Sequence, residues 1–258
     1  MNFRGFTSSV SMRATIDIIF DLLSGRLLCL LSMNSLSFSS ITRIKICGIT
    51  RAEDLQCVVQ AGADAVGFVF YSASPRYVAP ESAATLLALM PPFVMSVGLF
   101  VNVQLEQLQT VLALAPVQLL QFHGDENAHE CHRLASAVNR PFIRAYRVKP
   151  DTSEQDLLEC EAEYRAASPL FQGLLLDTFV DNFGGSGKVF DWSLIPKELA
   201  PRVVLSGGLS VQNATDAVSR VRPFAVDISS GVELAKGVKD AAKVRAFIDA
   251  VRLADNQN

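Results

Sequence analysis

From about residue 41 the chain alternates between two hydrophobic periods. Short apolar or β-branched runs, "RIKIC", "ADAVGFVF", "FVMSVGLF", "VQLLQF", "PFIRAY", "GLLLD", "RVVLS" and "FAVDIS", read as strands. Longer stretches with helical spacing separate them, among them "RAEDLQCVVQAG", "PESAATLLALM", "NVQLEQLQTVLALA", "DENAHECHRLASAV" and "SVQNATDAVSRV". Strand followed by helix, repeated, implies a parallel sheet, because parallel neighbours need a long crossover. Eight such units in about 215 residues predict an α/β fold, a single closed (β/α)8 TIM barrel spanning residues 41–254. An open Rossmann-like sheet is the alternative, but no G-x-G-x-x-G follows the first strand.

The first forty residues break this pattern. "TIDIIFDLLSGRLLCLLSM" is apolar, yet Asp17, Asp21 and Arg26 interrupt it, and a membrane-spanning helix needs about 20 unbroken apolar residues. The fit to a secretory signal is also poor. A Ser-rich linker, "SMNSLSFSS", follows. Residues 1–40 are expected to be an extension outside the barrel, either an extra helix or the product of a misplaced start, since Met12 and Met33 lie within it.

Composition narrows the function classes. Half of the 258 residues are apolar and the formal net charge is −3, with Lys and Arg scattered, so neither nucleic acid nor a membrane surface is an expected partner. Five cysteines at irregular spacing suit neither a disulfide framework nor a four-ligand zinc site; a cytoplasmic location fits them best. His129 and His132 are three apart on a predicted helix without a third ligand at helical spacing, which reads as a solvated surface.

In a barrel of this kind the active site forms where strands end, often with a phosphate held after strands seven and eight. The unusual polar and glycine-rich features of this chain fall at those positions. Cys47 ends the first run, Ser74, Pro75 and Arg76 follow the second, His123, Gly124 and Asp125 follow the fourth, and Asp177 ends the sixth. Ser206, Gly207 and Gly208 close the seventh, and Ser229, Ser230 and Gly231 close the eighth. Alternation along the first strand points Lys45 and Cys47 into the barrel and Ile44 and Ile46 toward the helices. A buried lysine needs a partner, and Asp227 on the eighth strand, next to the first in a closed barrel, is the expected one.

"KICGIT", "GADAVGFVFYSASPR", "LLQFHGDE", "LLLDT", "GGSGKVFDW", "LSGGL" and "VDISSGVE", spanning residues 45–233 and continued by "GVKD", resemble in order the signature segments of the phosphoribosylanthranilate isomerases of tryptophan biosynthesis. The resemblance implies an Amadori rearrangement of N-(5-phosphoribosyl)anthranilate by one acid and one base, with no metal or organic cofactor and a small phosphorylated substrate as partner. It implies Cys47 as base and Asp177 as acid, with Lys45 favouring the thiolate. Arg76 would grip the anthranilate carboxylate, and His123 would bind or orient nearby. Backbone amides at Gly207, Gly208, Ser229, Ser230 and Gly231 would hold the phosphate. The loop of residues 184–187, including Gly185, would add amides and act as a lid. A monomer is favoured, with a dimer as the alternative. Two rival readings stand beside this one: a non-catalytic phosphosugar-binding barrel, and a histidine-pathway sugar-phosphate isomerase. Enzymes of the latter type are expected to carry an aspartate where this chain has Cys47.

Overall fold

The structure, a computed structural model, describes residues 41–178 and 189–257 together with Ile19–Phe20 and Leu27–Leu28. The chain divides into two compact units, Met1–Ser39 and Ser40–Asn258. What is described of the first is an antiparallel pair in which Ile19 lies opposite Leu28 and Phe20 opposite Leu27.

The second unit is a closed barrel of eight parallel strands. These are β1 (Arg43–Cys47), β2 (Ala65–Val69), β3 (Met95–Phe100), β4 (Leu119–Phe122), β5 (Phe142–Val148), β6 (Phe171–Thr178), β7 (Val204–Leu205) and β8 (Ala225–Ile228). Each pairs with the next, and β8 closes on β1 with Asp227 opposite Lys45. Helices α1 (Ala52–Gln60), α2 (Pro80–Leu87), α3 (Leu105–Leu114), α4 (Ala128–Val138) and α5 (Glu154–Ala167) follow the first five strands. Helices α6 (Ala214–Val221) and α7 (Ala241–Asn256) follow β7 and β8. Among the described residues between β6 and β7 the helical pieces are two short 3-10 turns, Trp192–Leu194 and Ala200–Arg202.

Two separate cores result. The larger lies between sheet and helices and takes Ile44, Ile46, Val66, Phe68, Leu120, Phe122, Leu174 and Leu176 from the strands. A small plug of Ile143, Ala145, Leu175, Val204 and Ala225, with Leu119 against it, is distinct from that shell. Alternation decides what lies above the plug. Two residues further along the same strand faces stand Gln121 and then His123 after Leu119, Asp177 after Leu175, Ser206 after Val204, and Asp227 after Ala225. An apolar floor therefore gives way, one pleat later, to a polar layer at the C-terminal mouth. "GLLLD" reads as a continuous apolar run because both faces of β6 are buried, and Asp177 is where the inward face runs out of plug.

Candidate active site

Cys47 stands at the end of β1 directly opposite Gly67 on β2. A Cβ at Gly67 would lie 2.7 Å from the Cys47 Sγ and 3.2 Å from Lys45 Cε, so the missing side chain is the space that the thiol and the lysine stem occupy. Gly48 follows with φ +79°, and a side chain there would meet Arg76 Cδ at 2.7 Å. The backbone leaves the strand in a conformation that favours glycine. Lys45 donates to Asp227 Oδ1 at 2.7 Å inside the barrel, and Asp227 Oδ2 is 3.5 Å from the Ser206 hydroxyl.

The electrostatic balance at Cys47 differs from the one the sequence suggests. Burial pushes the thiol's pKa up, and although Lys45 and Lys239 both pull it down, Asp227 adds to the rise and burial prevails. Lys45 is itself held above the ordinary lysine range: burial acts to lower it, but Asp227 and Cys47 outweigh that. The field of Lys45 does not make the resting group a thiolate, because burial outweighs it and Asp227, paired with the lysine at 2.7 Å, opposes part of it. The resting Cys47 is a thiol.

On the facing wall His123 Nε2 lies 3.2 Å from Asp177 Oδ2, and Gln121 Nε2 lies 2.9 Å from His123 Nδ1. The Gln121 amide and the Asp177 carboxyl thus hold the imidazole through its two ring nitrogens, with donor and acceptor roles set by the ring's tautomer. Gln121 Oε1 is buried without a hydrogen-bond partner among the described residues. Gly207, at φ +78°, permits this wall to close: a Cβ there would lie 2.4 Å from the Thr178 backbone N and 2.8 Å from Asp177 Oδ1.

Arg76 is buried at 8 % exposure and donates through Nε and Nη2 to both oxygens of Glu233, at 2.7 and 2.9 Å. Lys239 bridges Glu233 Oε1 (3.0 Å) and the Ser229 carbonyl (3.2 Å), and the Ser229 hydroxyl donates to the Cys47 carbonyl at 3.0 Å. One open cleft is lined by Cys47, Arg76, His123, Asp177, Gly207, Gly208, Ser229 and Ser230, with Gln121, Ser206 and Asp227 among its other walls.

A family model described as N-(5'-phosphoribosyl)anthranilate (PRA) isomerase matches residues 44–250. The chain belongs to the phosphoribosylanthranilate isomerase family. It is 70% identical over 214 residues to the N-(5'-phosphoribosyl)anthranilate isomerase of Herminiimonas arsenicoxydans, covering 83% of this chain and 94% of that one. The isomerase of Dechloromonas aromatica is 55% identical, with 83% and 98% covered. Among solved structures, the phosphoribosyl anthranilate isomerase of Thermotoga maritima superposes with a TM-score of 0.72 at 43% identity, covering 81% of this chain and 98% of that one. A second isomerase structure, in complex with reduced 1-(o-carboxyphenylamino)-1-deoxyribulose 5-phosphate, gives a TM-score of 0.69 at 40% identity over the same shares. A further solved relative is described as monomers generated from the dimeric Thermotoga maritima isomerase.

Within this isomerase-family chain, the cleft brings together eight of the ten site residues expected from the sequence. Gly231 sits instead in the 3-10 turn Ser230–Val232, where a Cβ would lie 2.1 Å from the Leu209 carbonyl oxygen, so it packs the turn rather than lining the cleft. Gly185 and the glycine loop of residues 184–187 lie outside the described residues. Of the helix-borne histidines, His129 is exposed and His132 bonds Ser168 Oγ at 3.0 Å. Among the described residues no group of three His, Cys, Asp or Glu side chains is arranged to hold a metal ion, and no helix is long and apolar enough to cross a membrane. Sequence reasoning missed Gln121, Gly67, Glu233 and Lys239. Period-two spacing from His123 would have found Gln121, whereas nothing local marks Glu233 as the partner of an arginine 157 residues away.

Proposed function

We propose that the chain catalyses the Amadori rearrangement of N-(5'-phosphoribosyl)anthranilate to 1-(2-carboxyphenylamino)-1-deoxyribulose 5-phosphate, a step of tryptophan biosynthesis in the cytoplasm. The observation that carries this is the joint lining of one cleft by Cys47, Asp177 and the glycine and serine turns after β7 and β8. Asp177 protonates the ribofuranose ring oxygen; the C1–O bond breaks and the anilino nitrogen supplies the electron pair that makes a C1=N iminium. The Cys47 thiol releases its own proton to solvent in the open cleft and, as a thiolate, takes the C2 proton. The C2–H electrons form the C1=C2 bond, the C1=N π electrons return to nitrogen, and the resulting enolamine becomes the ketone as its C2 hydroxyl loses a proton and C1 gains one. An iminium forming beside the buried thiol adds positive charge to the partly opposed pull of Lys45, which favours the thiolate when it is needed. His123 orients the Asp177 carboxyl. Arg76 receives the ring carboxylate, and amides of Gly207, Gly208, Ser229 and Ser230 receive the phosphate.

The cytoplasmic assignment is supported by the described cysteines, Cys47, Cys57, Cys131 and Cys160, all unpaired. The catalytic unit is residues 41–254, acting as a monomer.

Complementation tests the reading. A gene encoding residues 40–258 is expected to rescue a tryptophan auxotroph lacking this isomerase. With purified protein, Cys47→Ser and Asp177→Asn should each lower kcat by about 10²-fold or more, the range of a lost general acid or base, while a phosphate-bearing product analogue still binds. Near-normal turnover in both variants would remove the acid and base assignments. Tight binding with no turnover by the unaltered chain would point to a non-catalytic barrel, and conversion of the histidine-pathway aminoaldose instead would point to the rival isomerase.

A further inference from the structure

Arg76 has five N–H donors, and Glu233 takes one complete edge of the guanidinium, Nε at 2.7 Å and Nη2 at 2.9 Å. Glu233 opens the hairpin that follows β8, Glu233–Ala235 paired with Val238–Lys239, and Lys239 is its cross-strand partner. All three charged side chains are withdrawn from solvent, at 10 % for Arg76, 6 % for Glu233 and 0 % for Lys239. Burying a carboxylate this deeply is costly unless it is paired, and here two cations meet it. Their pairing wins over burial and holds the Glu233 carboxyl below its usual range. The triad carries one positive charge in excess, beside a cleft whose proposed substrate is an anion at both ends.

We infer that Glu233 is a positioning residue: by occupying the Nε–Nη2 edge of Arg76 it leaves the Nη1–Nη2 edge to meet the substrate carboxylate, so that the ring carboxylate is captured end-on. This rests on the assignment of Arg76 to that carboxylate under the proposed function. A second consequence follows from Lys239, which ties the same carboxylate to Ser229, whose hydroxyl reaches the Cys47 carbonyl. The carboxylate clamp and the end of β1 are thus parts of one buried framework, and the orientation of the guanidinium is fixed before substrate arrives.

The test compares two ligands: reduced 1-(o-carboxyphenylamino)-1-deoxyribulose 5-phosphate, and the same molecule without the ring carboxyl. Their dissociation constants are measured by calorimetry for the unaltered protein, Glu233→Gln, Arg76→Ala and the double variant, with thermal unfolding as a check that each is folded. Loss of one charge-assisted contact corresponds to about 10- to 100-fold in affinity. Glu233→Gln and Arg76→Ala should each show that loss for the carboxylated ligand and much less for the other, and the double variant should be no worse than Arg76→Ala. In turnover, Glu233→Gln should raise KM far more than it lowers kcat. Equal weakening of both ligands by Glu233→Gln would mean a merely structural role, and no weakening of either would mean none; both overturn the inference. If Arg76→Ala discriminates the ligands and Glu233→Gln does not, only the role of Glu233 falls. If Arg76→Ala itself fails to discriminate, the carboxylate assignment falls and the inference with it.

Discussion

Replacing Lys45 by methionine separates what the buried ion pair does for the fold from what it does for the chemistry. Methionine keeps nearly the length and volume of the lysine stem, so the space beside Gly67 stays filled and the principal loss is the ammonium. Asp227 is then left with its carboxylate in a site where 7 % of the side chain is exposed, and its other described contact is the Ser206 hydroxyl at 3.5 Å. Removing one member of such a pair costs about 3–5 kcal/mol, because the other charge stays buried without compensation. The double variant Lys45→Met, Asp227→Val removes both charges. Apolar replacements of buried pairs are neutral or stabilising by up to about 4 kcal/mol, so most of the stability should return.

Activity should not return with it. Lys45 favours the Cys47 thiolate more strongly than Asp227 opposes it and also hydrogen-bonds the sulfur, so the double variant, lacking both charges, still loses a net pull toward the thiolate. Urea unfolding gives the stability of the single and double variants, and steady-state kinetics on the same preparations gives kcat/KM. A double variant close to the parent in stability but at least about tenfold slower, part of the loss that a missing general base would give, is the expected result. Recovery of both stability and rate would show that Lys45 serves only to neutralise Asp227. A single variant losing less than about 1 kcal/mol, the range of an exposed pair, would refute the burial argument itself.

Gly67→Ala places a methyl 2.7 Å from the Cys47 Sγ; overpacking of this kind costs about 1–3 kcal/mol, and displacing the thiol should lower kcat by about 10²-fold, measured alongside the melting curve. A fully active Gly67→Ala would show that the thiol position is not critical. Because burial raises the Cys47 pKa above its ordinary value of 9.0, the free enzyme should show kcat/KM rising with pH through neutrality and beyond pH 9, as the thiol gives up its proton. If the substrate iminium activates the thiol, the rising limb of kcat should lie at lower pH than that of kcat/KM, since the first reports the complex and the second the free protein. Coincident limbs would remove the iminium from the account.

What the sequence reveals here follows the range of each interaction. Barrel and strand order are carried by local periodicity and glycine placement, and β1 begins and ends where "RIKIC" does. Helix α5 is harder to read because it buries only Leu157, Glu161 and Tyr164 among fourteen residues, so its apolar stripe is faint; its N-terminus is written instead in the capping box of Ser153 and Asp156. The two short 3-10 turns described between β6 and β7 are invisible to an argument from alternation, which expects a helix after every strand. Individual site residues were legible wherever strand and turn geometry alone delivers them to the mouth, as with Cys47, His123 and Asp177. Their charge states were not, because these depend on neighbours from other strands. Cys47 shows the distinction most sharply. From β1 alone Lys45 is the nearest charge and the thiol should ionise; closing the barrel buries the thiol and adds Asp227 from β8, 182 residues away, which pairs with the same lysine and opposes part of its field. The resting protonation of the Cys47 thiol is therefore a property of the closed ring of strands, and no stretch of the chain read by itself contains it.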